Sequence, residues 1–173
     1  GGSIPSTMQG QAFLGPNLKQ ARSYIYGFRD RMDERYDCSR ACRDSKYAYI
    51  RNWMPHRAQG QFLSYMFETP TTQAWHKAFL DGKTNGAQSY FWKSKDPEEL
   101  YDLEADPDQI NNLAQRPEHR TTLERMRGAI REWMKETRDL GLMPESEMFL
   151  RSEKVPPYTM GHDNNRYGFE AIE

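Results

Sequence analysis

The segment from residue 123 to residue 137 constrains the fold of this chain more than any other. Four apolar side chains recur there at the spacing of an α-helix: Met126, Ile130, Trp133 and Met134. Charged side chains occupy the other side: Arg125, Arg127, Arg131, Glu132 and Lys135. Because the apolar stripe is narrow, the helix needs one packing partner, and we expect that partner to be the face of a sheet.

Four short segments predict that sheet. Residues 24–28, 36–43 and 46–51 are rich in Tyr, Ile and other strand-forming residues, and Asp44-Ser45 is typical of a two-residue turn between the last two. Residues 99–103 alternate polar and apolar side chains, which predicts a fourth strand. The fold class that follows is α+β, with a small antiparallel sheet packed by a C-terminal amphipathic helix.

The segments between these elements carry weaker signals. Residues 53–70 have no sustained period and predict a long loop over the sheet. Thr71 or Thr72 is placed to cap a helix that runs to Leu80 and stops at Gly82. The Asp106-Pro107-Asp108 run predicts a short capped helix through residue 112. After Gly141 no period is visible, so the tail is expected to wrap an edge.

Composition limits the classes of partner. The chain has 24 basic and 25 acidic residues in mixed order, so no basic block points to nucleic acid. No apolar run reaches the ~18 residues of a membrane span. Hydrophobic residues make up 36% of the chain, and 13% of all residues are aromatic. With few aliphatic residues, the chain is expected to need a neighbouring domain to complete its core.

The two cysteines, Cys38 and Cys42, predict buried thiols. On one strand they would share a face about 13 Å apart, which is too far for a disulfide. A metal or redox pair would need C-x-x-C spacing or a nearby histidine.

Aromatic residues scattered over the loop and helices are interpreted as core filling, with a sugar-stacking platform as the alternative. Since Arg40 and Arg43 fall on opposite strand faces, we expect at least one to be buried in an ion pair or directed at the neighbouring domain.

Four stretches, in chain order, resemble the C-terminal part of a type I sulfatase: YGFRDRMDERYDCSRACRDSKYAYIRNWMP, GKTNGAQSYFW, PEELYDLEADPDQINNLA and REWMKETRDLGLMPE. The resemblance is closest to the heparan N-sulfatase-like and bacterial polysaccharide sulfatase branches. It implies the C-terminal subdomain of an alkaline-phosphatase-like fold over residues 21–140. Residues 1–20 would be the linker from a preceding catalytic α/β domain, and residues 141–173 an extended wrapping tail.

The same resemblance implies a hydrolase that removes sulfate esters or N-sulfate from a sulfated carbohydrate such as a glycosaminoglycan. Its nucleophile is a formylglycine made from a C/S-x-P-x-R motif, and calcium binds the sulfate oxygens. Ser3-Ile4-Pro5-Ser6-Thr7 mimics that motif, but Thr7 stands where arginine is required, and neither cysteine has proline two residues on. We therefore predict no catalytic or metal-binding residue in this chain, and the fragment alone is expected to be inactive.

Three residues are candidates for contact with substrate. In sulfatases of this kind the loop after the first strand lies near the pocket mouth, which here contains Arg29 and Arg31. Guanidinium groups match sulfate and carboxylate, so both arginines could bind a sugar chain. The alternative is that they pair with Asp30, Asp33 and Glu34 on a solvated loop. His162, in a polar turn, is a third candidate, with an ordinary surface histidine as its alternative.

The expected partners are the upstream catalytic domain of the same polypeptide and a sulfated carbohydrate. The resemblance also implies export to the periplasm, the lysosome or the cell exterior. Two other functions stay open from the sequence. One is a phosphodiesterase or phosphonate hydrolase of the same superfamily, and the other is a non-catalytic polysaccharide-binding module.

Overall fold

The computed structural model describes residue 5 and residues 8–171. Four strands are present there: β1 (Ile25–Arg29), β2 (Ser39–Arg43), β3 (Tyr47–Asn52) and β4 (Glu98–Asp102). The α-helices are α1 (Ser64–Phe67), α2 (Pro70–Leu80), α3 (Gly86–Tyr90), α4 (Arg120–Thr137), α5 (Glu145–Arg151) and α6 (Pro157–Gly161). Short 3-10 turns occupy Pro117–His119 and Phe169–Ala171.

The strands form one antiparallel sheet in the order β1-β2-β3-β4. Cys42 pairs with Tyr26 on one side and with Tyr49 on the other, and Tyr49 in turn pairs with Leu100. The turn of the central hairpin lies one residue later than predicted. The Asp44 amide donates to the Tyr47 carbonyl at 3.0 Å, so the two turn residues are 45 and 46.

Helix α4 covers one face of the sheet through the predicted stripe. Leu123, Met126, Ile130 and Met134 are buried and share a cluster with the sheet residues Cys42, Tyr49 and Leu100. Trp133 lies at the flank, where its ring stacks on that of Tyr26 with the centroids 4.9 Å apart. The amphipathic pattern therefore identified both the helix and its packing partner.

The other face of the sheet is partly covered by the segment between β3 and β4. This segment was predicted as a loop up to residue 70, but it contains α1, and α2 begins at Pro70 after Thr69. The predicted Thr71 or Thr72 cap was therefore wrong, because proline already occupies the first helical position. Gly82, with φ of +69°, follows the end of α2 as expected. The buried ring of Trp92 lies against five aromatic rings, which supports the core-filling interpretation: those of Phe67, Trp75, His76, Phe79 and Phe91.

Two further predictions were wrong. No helix forms at residues 106–112, because both carboxylate oxygens of Asp106 accept backbone amides, from Ile110 and Asn111, and hold a turn instead. The tail after Gly141 is not extended, since it forms α5 and α6. It also adds buried side chains, Met160, Tyr167 and Phe169, to the core beneath α4. These residues have no regular spacing because they belong to short, separately packed turns.

Cys38 and Cys42 are buried free thiols, as predicted. The Sγ atom of Cys42 lies 3.5 Å from the Met126 carbonyl, and that of Cys38 lies 3.6 Å from the Gly141 carbonyl. Burial raises the pKa of Cys38 to about 11 and that of Cys42 to about 12. A raised thiol pKa keeps the sulfur protonated, so the nucleophilic thiolate is scarce at neutral pH.

We expect neither thiol to react with iodoacetamide at pH 8 in the folded protein. A shift of the Cys38 pKa from 9.0 to about 11 lowers its thiolate fraction about a hundredfold, before restricted access is considered. The measurement is intact-mass spectrometry against reaction time, with the urea-unfolded protein as the control that takes two labels. Equal labelling rates in the folded and unfolded protein would contradict the burial of both sulfurs.

Candidate functional site

The candidate site is built around the loop that joins β1 to β2. A pair of backbone hydrogen bonds between Met32 and Arg35, both 3.0 Å, closes this loop, and Asp33 takes the left-handed conformation with φ of +50°. Strand alternation directs Arg29 to the sheet face that α4 does not cover. Arg31 lies beyond the strand end and reaches toward α5.

A buried arginine anchors the base of the loop. Arg40 is 1% exposed and lies between the carboxylates of Asp30 and Asp139. Its Nη1 donates to Asp30 Oδ1 at 2.8 Å, its Nη2 donates to Asp139 Oδ1 at 2.8 Å, and its Nε donates to Asp139 Oδ2. Burial alone lowers the pKa of Arg40, but the hydrogen bonds to the two carboxylates outweigh it, so the pKa is raised. This confirms the predicted buried ion pair, and we name the three residues the arginine clamp.

A cavity of about 520 Å³ opens beside the clamp, and we name it the clamp cavity. Arg31 and His162 both line it, so the structure brings two of the three predicted contact residues together. Arg31 Nη1 lies 2.5 Å from Glu145 Oε2 in an exposed ion pair. His162 is exposed, its Nδ1 lies 2.8 Å from the Tyr158 carbonyl, and its ring contacts the Tyr158 ring at 4.2 Å.

The third predicted residue, Arg29, lines a separate cavity of about 240 Å³ on the other sheet face, which we name the sheet cavity. Its Nη1 and Nη2 donate to Gln59 Oε1 and the Gln59 carbonyl, and its Nε lies 3.5 Å from Asp37 Oδ2. Asp37 is buried and accepts hydrogen bonds from Lys95 Nζ at 2.5 and 2.6 Å and from the Cys38 amide at 2.9 Å. Burial lowers the pKa of Arg29, and the nearby Asp37 charge opposes this only in part.

Neither arginine pairs with the loop carboxylates proposed as the alternative. Asp30 instead forms an ion pair with Arg40. Asp33 and Glu34 accept hydrogen bonds from Tyr65 and Ser64 of α1, respectively. Sequence reasoning missed Asp37 and Lys95, which are 58 positions apart, and also Asp139, which lies 99 positions from Arg40. No spacing rule links such distant residues, so only the assembled sheet reveals these pairs.

The part of the chain that the structure describes contains no group of three or more His, Cys, Asp or Glu side chains placed to hold a metal ion. The motif-like run at residues 3–7 lies outside the described residues except for Pro5. Both cysteines are buried and protonated, so they do not fit the role of a converted nucleophile. The described residues therefore do not fit formylglycine or calcium.

Within residues 8–171 we find no helix with both the length and the apolar character needed to cross a membrane.

No family model matches this chain. It is similar to two curated proteins from Formosa agariphila, each named "Ulvan-active sulfatase". One is 37% identical over 142 residues, which covers 82% of this chain and 24% of the relative. The other is 31% identical over 147 residues, covering 81% of this chain and 27% of the relative. The chain therefore spans about a quarter of the length of the curated relatives it matches.

Among solved structures, the chain resembles a crystal structure from Bacteroides thetaiotaomicron VPI-5482 that is described as a sulfatase. The TM-score is 0.50 at 19% identity, and the match covers 80% of this chain and 22% of that chain. The predicted fold class, a small antiparallel sheet packed by a helix, is confirmed by the structure and agrees with this likeness. The heparan N-sulfatase-like branch stays a prediction. The curated similarity thus covers most of this chain and about a quarter of two proteins named as sulfatases.

Proposed function

We propose that this chain is the C-terminal part of an enzyme that hydrolyses sulfate groups of a sulfated polysaccharide, and that ulvan is the first substrate to test. The observation that carries the proposal is the 37% identity over 142 residues to an ulvan-active sulfatase. Because the matched segment is 24% of that relative, we place the chemistry in an upstream catalytic domain of the same polypeptide. Formylglycine and calcium of that domain would supply the nucleophile and the electrostatic stabilisation of the sulfate oxygens.

The role of this chain would be to support the catalytic domain and form one wall of the substrate cleft. Large apolar side chains are exposed along the approach segment and the first strand: Phe13, Leu14, Leu18, Ile25, Phe28 and Met32. Exposed apolar groups at this density are typical of surfaces that pack against another domain. They agree with the expectation that the chain needs a neighbour to complete its core.

The contact with substrate would come from the β1–β2 loop and the tail. Arg31 and His162 face the same cavity, and Arg29 lies on the other side of the loop. The Arg31–Glu145 pair is exposed, so it contributes little to stability and opens at small cost when a sulfated sugar approaches.

We also propose that the protein is exported, because a polymeric carbohydrate substrate lies outside the cytoplasm.

Sulfate release tests the proposal directly. The native-length protein is incubated with ulvan, and free sulfate is measured by ion chromatography, with phosphate mono- and diesters as parallel substrates. Sulfate release supports the proposed function. Preferential cleavage of phosphate esters would instead assign the phosphodiesterase alternative, and polymer binding without any hydrolysis would assign the binding module. Peptide mapping for formylglycine upstream of this chain is the independent check.

We expect Arg31→Gln to raise KM for the sulfated polymer about fivefold while kcat changes less than twofold. One exposed charge-assisted hydrogen bond to substrate contributes about 1 kcal/mol, and a loss confined to binding appears in KM. Steady-state kinetics on the native-length protein measures both constants. The matched control is Arg120→Gln, because Arg120 also forms an exposed ion pair, with Glu124, but lies outside both cavities. An unchanged KM in Arg31→Gln would remove Arg31 from the substrate contacts.

A further inference from the structure

The sheet cavity holds more positive than negative charge. Its charged lining residues are two cations, Arg29 and Lys95, and one anion, Asp37. The Lys95–Asp37 pair is buried and balanced, so the extra positive charge of the lining is that of Arg29, whose side chain is 28% exposed. The cavity therefore favours an anion over a neutral or cationic occupant.

The lining also offers hydrogen-bond donors that have no acceptor. Lys95 Nζ donates to both oxygens of Asp37, and its third N–H has no partner within the described part of the chain. Neither Ser39 Oγ nor Gln59 Nε2 donates to any residue among those the structure describes, although both residues line the cavity. Asp37, the one carboxylate of the lining, already has both oxygens occupied. Three lining groups thus have free donors, against one free acceptor, Asn52 Oδ1, among the described residues, and this excess of donors suits an oxyanion.

The shape of the cavity leaves room for such a group. Its volume of about 240 Å³ is several times the ~30 Å³ that one water occupies in the liquid. Gly27 lies at its floor, and a Cβ atom added there would meet nothing within 4 Å. The clamp cavity differs, because its lining carboxylates Asp30, Asp37, Asp139 and Glu145 outnumber its arginines Arg31, Arg40 and Arg138. By its charged lining, the sheet cavity is the more favourable of the two for an enclosed anionic group.

We propose that the sheet cavity binds a sulfate or carboxylate group carried by the polysaccharide, with Arg29 and Lys95 as its cationic ligands. This rests on the proposed function, because it assigns to Arg29 the anionic group of the polymer that the sulfatase would act on. Free sulfate has the same chemistry, so the test separates the two sources. A carboxylate side chain of the remaining polypeptide is the competing occupant.

The test uses two variants of the native-length protein that change the cavity in different ways. Arg29→Gln removes one cation at a side chain that is 28% exposed, so folding is expected to survive. Gly27→Val keeps every charge but fills the floor with a residue that strands favour. The control is Arg43→Gln, since Arg43 is an exposed arginine on the same sheet face that does not line the cavity.

The first readout is an anomalous difference map from crystals soaked in selenate, the analogue of sulfate. We expect a peak within hydrogen-bond distance of Arg29 and Lys95 in the wild type and in Arg43→Gln, and none in the two cavity variants. The second readout is KM for the sulfated polymer, which should rise about tenfold in both cavity variants and stay unchanged in the control.

Three outcomes would overturn the proposal. They are a wild-type map without a selenate peak, a carboxylate of the upstream polypeptide seated in the cavity, and a selenate peak with unchanged KM in both variants. The last would confine the site to free anions. None of these bears on whether wild-type protein releases sulfate from ulvan, so failure of this site and failure of the proposed function are distinguished.

Discussion

Replacing Gly141 with alanine is expected to destabilise the protein by about 3 kcal/mol. The new Cβ would lie 1.7 Å from Arg40 Nη2 and 2.8 and 2.9 Å from the two carboxylate oxygens of Asp30. A free arginine could move aside, but Arg40 is buried and held by two carboxylates. Relief of the overlap must break part of the clamp, and breaking a buried ion pair costs about 3 to 5 kcal/mol.

Urea unfolding of Gly141→Ala against wild type measures this loss. Gly128→Ala is the matched control, because Gly128 lies on the exposed side of α4 and an added Cβ meets nothing within 4 Å. In a helix interior, alanine is favoured over glycine by about 0.5 to 1 kcal/mol, so the control should become more stable. A loss below 1 kcal/mol in Gly141→Ala would show that the clamp tolerates displacement of Arg40.

The elements that the sequence predicted well are those whose signal is local. The apolar stripe of α4 lies within one helix, and the alternation of β4 lies within one strand. Each element can therefore be predicted from its own residues alone. Predictions failed where a local signal met a competing local bond. Asp106 precedes a proline and resembles a helix cap, yet its two oxygens accept amides that hold a turn.

The candidate site was less predictable because its partners are remote in sequence. Arg40 was expected to find a buried partner, but nothing in the sequence indicated Asp30 and Asp139. Arg29 and Arg31 were both expected near one pocket mouth, as residues of one loop. Strand alternation and the loop geometry instead place them in two cavities on opposite sides of the sheet. Long-range pairing depends on how whole helices and strands pack together. The residue pattern of a single sequence does not specify that packing.

Buried ion pairs also explain how a chain with few aliphatic residues fixes its loop geometry. The clamp joins the β1–β2 loop to the end of α4, and the Asp37–Lys95 pair joins the start of β2 to the segment before β4. Each pair ties a cavity wall to the sheet. Breaking one of them is therefore expected to cost stability and also to disturb the neighbouring cavity.

Replacing Asp37 with alanine is the second change with a large expected effect, a loss of about 4 kcal/mol. The carboxylate is inaccessible to solvent and binds Lys95 Nζ through both oxygens, at 2.5 and 2.6 Å. Its removal leaves the buried ammonium of Lys95 without a counter-charge, and an isolated buried charge is among the costliest defects in a protein interior. Urea unfolding measures the change in free energy.

The control for Asp37→Ala is the same substitution at Asp81, which forms ion pairs with the exposed side chains of Lys77 and Lys83. Such pairs contribute about 0.3 to 0.5 kcal/mol, so Asp81→Ala should cost little. The double variant Asp37→Ala/Lys95→Met should recover part of the loss, because it removes the uncompensated cation and leaves an apolar side chain in its place. If the double variant is no more stable than Asp37→Ala, the cost arises from the other contacts of Asp37, those with the Cys38 amide and Arg29, and not from the buried Lys95 charge.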